Sequence, residues 1–363
     1  MRFLIFHHFI IERGGGERVI KELSKLPGDK LIVTSFYIPE KTYEAFKDLK
    51  IICLDKFISK ICEKSRILKV LVAFIFFKYF LRKFSKYFER NFDVAIFSGF
   101  YSIYYAPYLR IKKVYYIQAE PLFMVFERIG YKSLFFKILK PLIQIISRLE
   151  EYSLKSFDLI VSNSKYTRTI FSKYRLMANK VIYPPVETRK FKYSNKKEFF
   201  LFVGRLYPHK RIIPVVKVFI KIKDEQLKIV GMGPLADVIR KVSEEYKNIE
   251  YLGVVDERKL TELFSRCKAV IYIPEKEHFG LVPVEANASG KPAIVNNEGG
   301  IVETIIPGKT GIIIKKPYEK NLEKVIRKFD EFKFDPRVCI KNARKFDAKN
   351  FRKKFERVLL NLT

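Results

Sequence analysis

The order of hydrophobic runs along the chain predicts an α/β protein of two domains, each built on a parallel sheet. Three observations carry that expectation. At 363 residues the chain is too long for one ordinary core and suits two α/β domains. Short β-rich runs alternate with longer amphipathic stretches nearly throughout, the pattern of βαβ units. The rhythm restarts once, after "VIYPPVETRKFKYSNKKE", and so divides the chain in two.

The first half opens with "FLIF" (3–6), a Gly-rich turn and the helical "ERVIKELSKL". The opening run is broken at once by His7 and His8 and lacks a small-residue cleavage site, so a strand is expected there rather than a signal peptide. "KLIVTSF", "DVAIFSG", "VYYIQ" and "LIVSNS" follow as further strands. The second half repeats the alternation with "FFLFVGRL", "LKIVGMG", "IEYLGVV", "AVIYIP", "PAIVNN" and "GIIIKK". The basic, Pro-containing segment 186–198 reads as a linker between domains at 1–185 and 199–340. Residues 341–363 contain "KNFRKKFERVLLNL", an amphipathic helix expected to pack back on the first domain. Two Rossmann-like halves facing each other across a cleft are the expected architecture, with ligands at the carboxyl ends of the strands.

Composition narrows the classes of function. Hydrophobic residues make up 48%, ample for cores and unlike a disordered chain. The formal net charge of +32 favours polyanions or an anionic membrane surface, although heavy Lys, Ile and Phe usage also fits a biased genome. A nucleic-acid-binding protein is the alternative of another class, but no recognised module is present and the aromatics sit in buried-looking runs. Cys53, Cys62, Cys267 and Cys339 are scattered, with no C-x-x-C pair and no His at ligand spacing. That pattern argues against a zinc site or disulfide framework and suits a reducing compartment. No segment reaches the roughly 20 apolar residues of a spanning helix. The nearest, Val70 to Leu81, is short and contains Lys78.

Chemistry concentrates at strand ends. In "FVGRLYPHKRI" a buried strand ends at Gly204, and Arg205, Lys210 and Arg211 follow where a loop enters a helix. A guanidinium fork and an ammonium beside a helix N-terminus suit a phosphate; the plainer alternative is a solvated basic loop. "IVGMGP" (229–234) and "RGGGERV" (13–19) are further strand–glycine–helix turns; a tight turn alone explains one glycine, whereas three allow close approach of backbone to an anion. "EHFGLVPVEA" places Glu277 in the loop after the strand "AVIYIP" and Glu285 in the first two turns of the next helix. Phe279, Gly280 and Leu281 lie between, where backbone N–H groups are free to bind. A favourable helix dipole accounts for Glu285 but not for Glu277, so a polyhydroxyl ligand with an anionic centre is the better reading.

Taken together, "GGGERV", "NSKYT", "VIYPPVETRKF", "FVGRLYPHKRI", "VGMGP", "YLGVV", "EHFGLVPVEANASGKPAIV" and "NEGGIVETI" resemble the retaining glycosyltransferases of family 4, which have the GT-B fold. The pieces lie in family order over nearly the whole chain, and the wording is nearest to mannosyltransferases that extend lipid-linked oligosaccharides. The resemblance implies that residues 1–185 hold the acceptor and 199–340 a nucleotide sugar, either GDP-mannose or a UDP-sugar. It gives the catalytic positions to Glu277, Arg205 and Lys210, with the two cations holding the donor diphosphate. Glu285 would hold the ribose, Glu277 the transferred sugar, and the backbone of Phe279, Gly280 and Leu281 the sugar hydroxyls and phosphate. Gly15 and Gly16 would close over the phosphate, and the base would lie near Gly233 and Leu252 to Val254. Where family members often carry a His, this chain offers Gln118 and Glu120 on the acceptor side.

No D-x-D motif occurs, so no metal site and no cofactor is expected, with Arg205 and Lys210 neutralising the leaving diphosphate. The implied reaction retains anomeric configuration by a front-face path. The expected acceptor is a lipid-linked or cell-surface glycan, with no nucleic acid as partner. Between Lys60 and Lys86 eight Lys/Arg residues face one acid, Glu63, and Lys78, Arg82 and Lys86 are spaced four apart. One helical face carrying all three would dock on an anionic membrane, which places the protein peripherally on the cytoplasmic face. A second basic segment, Tyr131 to about Phe157 and broken near Pro141, reads as an ordinary domain helix.

Overall fold

A computed structural model describes residues 1–54, 66–118, 140–173, 178 and 180–362. The chain divides into two compact units, Met1–Tyr183 with Phe351–Thr363, and Pro184–Asn350.

The first unit holds a seven-stranded sheet in the order β3-β2-β1-β4-β5-β6-β7. Its strands are β1 (Phe3–Ile10), β2 (Lys30–Tyr37), β3 (Ile51–Ile52), β4 (Val94–Ser98), β5 (Lys112–Ile117), β6 (Leu159–Ser162) and β7 (Lys180–Val181), all paired in parallel. Helices cover both faces, so central strands read as continuous apolar runs rather than as alternating ones. The period of two still sorts the side chains. Phe3, Ile5, Val94 and Ile96 enter one core, and Leu4, Phe6, Ala95 and Phe97 enter the other.

The former core is closed by the helix Ala348–Leu360, whose Phe351, Phe355, Val358 and Leu359 recur at helical spacing against Val19, Ile20 and Leu23 of helix Gly15–Leu23. Arg352 and Lys25 both pair with Glu22, which is fully buried. The C-terminal helix therefore packs on the first domain, as expected, from Phe351 onward.

The second unit repeats the plan with six parallel strands in the order β10-β9-β8-β11-β12-β13. These are β8 (Phe200–Val203), β9 (Leu227–Val230), β10 (Ile249–Gly253), β11 (Ala269–Tyr272), β12 (Ala293–Asn296) and β13 (Gly311–Ile314). Phe200, Phe202 and Ile271 point to one core, Leu201, Val270 and Tyr272 to the other. In both sheets the connection order reverses once, between β1 and β4 and between β8 and β11. Ligands of doubly wound sheets bind outside the strand ends at such a point.

The segment 186–198 is fastened to the second unit. Val186 bridges to Asp347, and Lys291 donates to the Ser194 carbonyl at 2.8 Å. Residues 341–350 belong to the same unit.

The single basic helical face expected for Lys78, Arg82 and Lys86 is not formed. Helix Arg66–Lys78 gives way to a 3-10 turn, Phe80–Phe84, and then to helix Ser85–Asn91. Aromatic packing sets this path. Phe76, Phe80, Phe84 and Phe88 stack in sequence with centroids 5.4, 5.9 and 6.1 Å apart, while Arg82 lies over Tyr108 and Lys83 over Phe80. Lys60, Glu63 and Cys62 lie outside the described residues. In the second basic segment helix Lys140–Lys155 carries Pro141 in its first turn, where proline is tolerated, and 131–139 lie outside the described residues. No helix among the described residues is long and apolar enough to cross a membrane.

Candidate functional site

Strands β8 and β11 flank the switch point of the second sheet, and the loops that leave them carry the predicted charges. After β8 the chain passes Gly204 and Arg205, makes a 3-10 turn at Pro208–Lys210, and enters helix Ile212–Lys221 through Arg211, which has a left-handed backbone at φ 55°. After β11 it runs through Glu277 to Gly280, the N-cap of helix Leu281–Ala288, at φ 90°. That conformation favours glycine. The first turn of this helix leaves the Leu281 N–H without an intrahelical partner.

These two loops meet side chain to side chain. Lys210 Nζ pairs with Glu277 Oε2 and lies 3.2 Å from the Tyr272 hydroxyl, which donates to the same carboxylate oxygen at 2.9 Å. Burial alone would raise the Glu277 pKa. The Lys210 charge and the hydrogen bonds from Lys210 and Tyr272 outweigh it and hold the carboxyl below its usual range. Tyr272 is pushed well above the usual tyrosine value by burial first, then by the charges of Glu277 and Glu285, with Arg205 opposing. Its hydroxyl is therefore within electrostatic reach of Glu277, Glu285 and Arg205. Glu285 is 5% exposed on helix Leu281–Ala288.

Arg205 is exposed and has no carboxylate partner among the described residues; its guanidinium lies 5.7 Å from the Tyr207 ring centroid. Arg211 differs. It donates to Glu298 at 2.8 Å and to the carbonyls of Ile273 and Pro274, and it stacks over Tyr318. This cation therefore fixes the loop after β11, with both terminal nitrogens engaged there. Against burial, Arg211 and Lys316 hold Glu298 at about 2.

Glycines bring the loops close. Gly299, at φ 80°, would drive a Cβ to 2.3 Å from the Glu277 carbonyl oxygen, and the Gly300 N–H donates to that oxygen at 2.7 Å. Gly231, at φ 140°, sits where a Cβ would come within 1.9 Å of the Gly204 oxygen. Gly233, at φ 158°, lies against the Leu206 backbone, 2.7 Å from its oxygen on the same measure. Phe279 is buried against Phe346, Leu252 is half-buried, and Val254 is 70% exposed.

In the first unit, Gly15 and Gly16 open helix Gly15–Leu23 after Gly14 as N-cap. A Cβ on Gly16 would stand 2.9 Å from Gln118 Oε1, so these two predicted positions meet. Gln118 donates to Ser98 Oγ at the end of β4. Glu120 lies outside the described residues. Glu17, in the first turn, is 7% exposed and raised by burial to about 7, despite backbone hydrogen bonds that oppose the shift.

Within the second unit the structure thus joins Lys210 and Glu277 at one tyrosine, with Arg205 and Glu285 in electrostatic reach of its hydroxyl. Tyr272 was missed in sequence because it reads as one more apolar residue ending a buried strand. Glu298 and Gly299 were missed as ligand-loop anchors; the signal was the "NEGG" after β12.

Residues 186–346 match the family Glycosyl transferases group 1. The chain is 27% identical over 255 residues to alpha-1,3/1,6-mannosyltransferase ALG2 of Dictyostelium discoideum, covering 53% of this chain and 60% of that one. With the human ALG2 it shares 23% over 220 residues, 50% of this chain and 53% of the other. The chain thus spans little more than half the length of these curated relatives. Among solved structures, Anabaena Alr3699/HepE in complex with UDP and glucose superposes with a TM-score of 0.74 at 15% identity over the whole of both chains. Lipopolysaccharide outer core galactosyltransferase WaaB superposes with a TM-score of 0.69 at 16% identity over 99% of each chain. The fold is GT-B, and the match to Glycosyl transferases group 1 falls on residues 186–346 within it.

Proposed function

We propose that this chain transfers a sugar, retaining its anomeric configuration, from a nucleotide sugar to a glycan acceptor. The carrying observation is the cluster at the ends of β8 and β11, where Lys210, Glu277 and Tyr272 bond to one another, together with an exposed Arg205 that has no carboxylate partner among the described residues. In this reading Arg205 and Lys210 neutralise the diphosphate as the glycosidic bond breaks, the task a metal performs elsewhere. Glu277 orients the transferred sugar, Glu285 accepts from the ribose hydroxyls, and the backbone of Phe279 to Leu281 receives the phosphate at the helix start. Gly15 and Gly16 close over the phosphate, with the base near Gly233, Leu252 and Val254.

Mannose from GDP-mannose is the preferred donor, because both ALG2 relatives named above are mannosyltransferases. A UDP-sugar is the second reading, favoured by the UDP and glucose bound in the Anabaena neighbour. The preferred acceptor is a lipid-linked or cell-surface glycan, reached from the cytoplasmic face of an anionic membrane. Leu71, Ile75, Tyr79 and Phe80 support that placement as exposed apolar side chains beside Lys78, Arg82 and Lys83. A donor panel of GDP-mannose, UDP-glucose and UDP-N-acetylglucosamine, read by nucleotide release with lipid-linked acceptors, tests the proposal. Release from GDP-mannose alone supports the first reading, release from a UDP-sugar the second, and release from none rejects both.

A further inference from the structure

Strand β1 carries His7 to the carboxyl end of the first sheet, in register with Ser98, the last residue of β4. These two strands flank the point where the order of that sheet reverses, the place where such sheets take ligands. Alternation along β1 turns His7 to the same face as Phe3 and Ile5, the side covered by helix Gly15–Leu23. The ring is 2% exposed, a burial more often found for an apolar side chain.

Its hydrogen bonding is half satisfied. Nδ1 lies 2.7 Å from the Ser98 carbonyl oxygen. A carbonyl only accepts, so Nδ1 carries the hydrogen and Nε2 is left with a bare lone pair. Burial, against a weaker opposing pull from Ser98, lowers the imidazole to about 4, so the ring is neutral near pH 7. Nε2 has no hydrogen-bond partner among the described residues.

The ring edge that carries Nε2 borders Gly16. His7 Nε2 lies 3.5 Å, and Gln118 Oε1 2.9 Å, from the point where a Cβ of residue 16 would stand. Gln118 commits one amide hydrogen to Ser98 Oγ, and its oxygen is the atom turned toward Gly16. Two acceptors thus border the side of Gly16 on which a Cβ would stand. Gln118 is half-buried, and the group that satisfies both acceptors is a hydrogen-bond donor.

We propose that His7 accepts, at Nε2, a hydrogen bond from a substrate hydroxyl seated over Gly16, with Gln118 Oε1 as the second acceptor. The proposal rests on the glycosyltransferase reading and deepens it by naming a substrate-contacting residue on β1. The bond holds the hydroxyl, hence the sugar ring that bears it, in one orientation, and neither acceptor changes charge in doing so.

Two substitutions separate this role from a structural one. His7→Asn keeps an N–H for the Ser98 carbonyl and deletes Nε2, while His7→Gln extends an amide to the place Nε2 occupied. Each is measured on the full chain, with the donor that the wild type turns over, for kcat, KM, GDP and UDP binding, and thermal midpoint. The expected result is a kcat for His7→Asn lowered about tenfold or more, at an unchanged midpoint and unchanged nucleotide affinity. His7→Gln should recover part of that loss. Unchanged kcat in His7→Asn overturns the proposal and leaves the glycosyltransferase reading standing. Equal losses in both variants that track a lowered midpoint also overturn it, since that is the behaviour of a purely structural histidine. A wild type that releases nucleotide from no donor rejects the glycosyltransferase reading itself, and the role of His7 falls with it.

Discussion

Tyr272→Phe removes one oxygen and leaves the ring, which makes it the sharpest probe of the second unit's cluster. The lost hydroxyl donates to Glu277 Oε2 at 2.9 Å and lies 3.2 Å from Lys210 Nζ. A hydrogen bond to a charged group contributes about 1.5–3 kcal/mol. The Glu277 side chain is 23% exposed and keeps its Lys210 pair in the variant. The lower end, about 1.5 kcal/mol, is therefore expected. For a domain of about 150–250 residues that corresponds to a thermal midpoint lowered by about 3–6 °C.

The loss should depend on pH in a definite sense. Burial pushes the Glu277 carboxyl up, but the Lys210 charge and the two hydrogen bonds hold it down, so its folded pKa lies below the ordinary value. A carboxyl of that kind contributes stability above its unfolded pKa of about 4.3 and loses it as pH falls through the folded value. The midpoint gap between wild type and Tyr272→Phe should be full at pH 7 and should close below about pH 4. Scanning fluorimetry across that range reads it directly. Combining Tyr272→Phe with Glu277→Gln should reveal a coupling of about 1 kcal/mol. No gap at pH 7, a gap undiminished in acid, or strict additivity in the double variant would refute the network.

Other expectations follow from the same site and from the surface of the first unit. Glu285→Gln should weaken donor binding by about 1.5–3 kcal/mol, whereas Glu277→Gln should lower turnover more than affinity and leave free nucleoside diphosphate binding intact, as titration calorimetry and initial rates would show. Nucleotide binding abolished by Glu277→Gln but not by Glu285→Gln would reverse the two roles. Transfer should survive EDTA; complete loss restored by a divalent ion would show the phosphate site to be misassigned. Sedimentation with anionic vesicles at low salt, reversed by high salt and weakened in Leu71→Asp or Arg82→Glu, is expected of the first unit's surface. Equal partitioning onto neutral vesicles would defeat that placement. Gly299→Ala should lower turnover strongly, because its Cβ would meet the Glu277 carbonyl at 2.3 Å on a backbone at φ 80°.

Some of this was written in local pattern. Strands buried on both faces must be apolar without interruption, so "FLIF", "FFLFV" and "AVIY" announced β1, β8 and β11 by themselves. The glycine turns and the helix that begins at Leu281 were legible too, since backbone sterics and capping act over a few residues. The period of the C-terminal helix, Phe351 to Leu359, marked a buried face before its partner was known.

What only the tertiary structure decided was which distant side chains meet. Lys210 and Glu277 are 67 residues apart, and each looked like a separate ligand group; the parallel pairing of β8 with β11 at the centre of the sheet makes them partners of each other and of Tyr272. Arg211 looked like a third phosphate cation, yet Glu298, 87 residues away, claims it. His7 looked like a break in an apolar run, and only the register with Ser98 and the approach of Gly16 and Gln118 turn it into an acceptor. The charge spacing of Lys78, Arg82 and Lys86 promised one face, but aromatic packing chose a different path. Period and propensity are properties of neighbours in sequence, whereas ion pairs and hydrogen bonds depend on strand order, and strand order is set by the whole core.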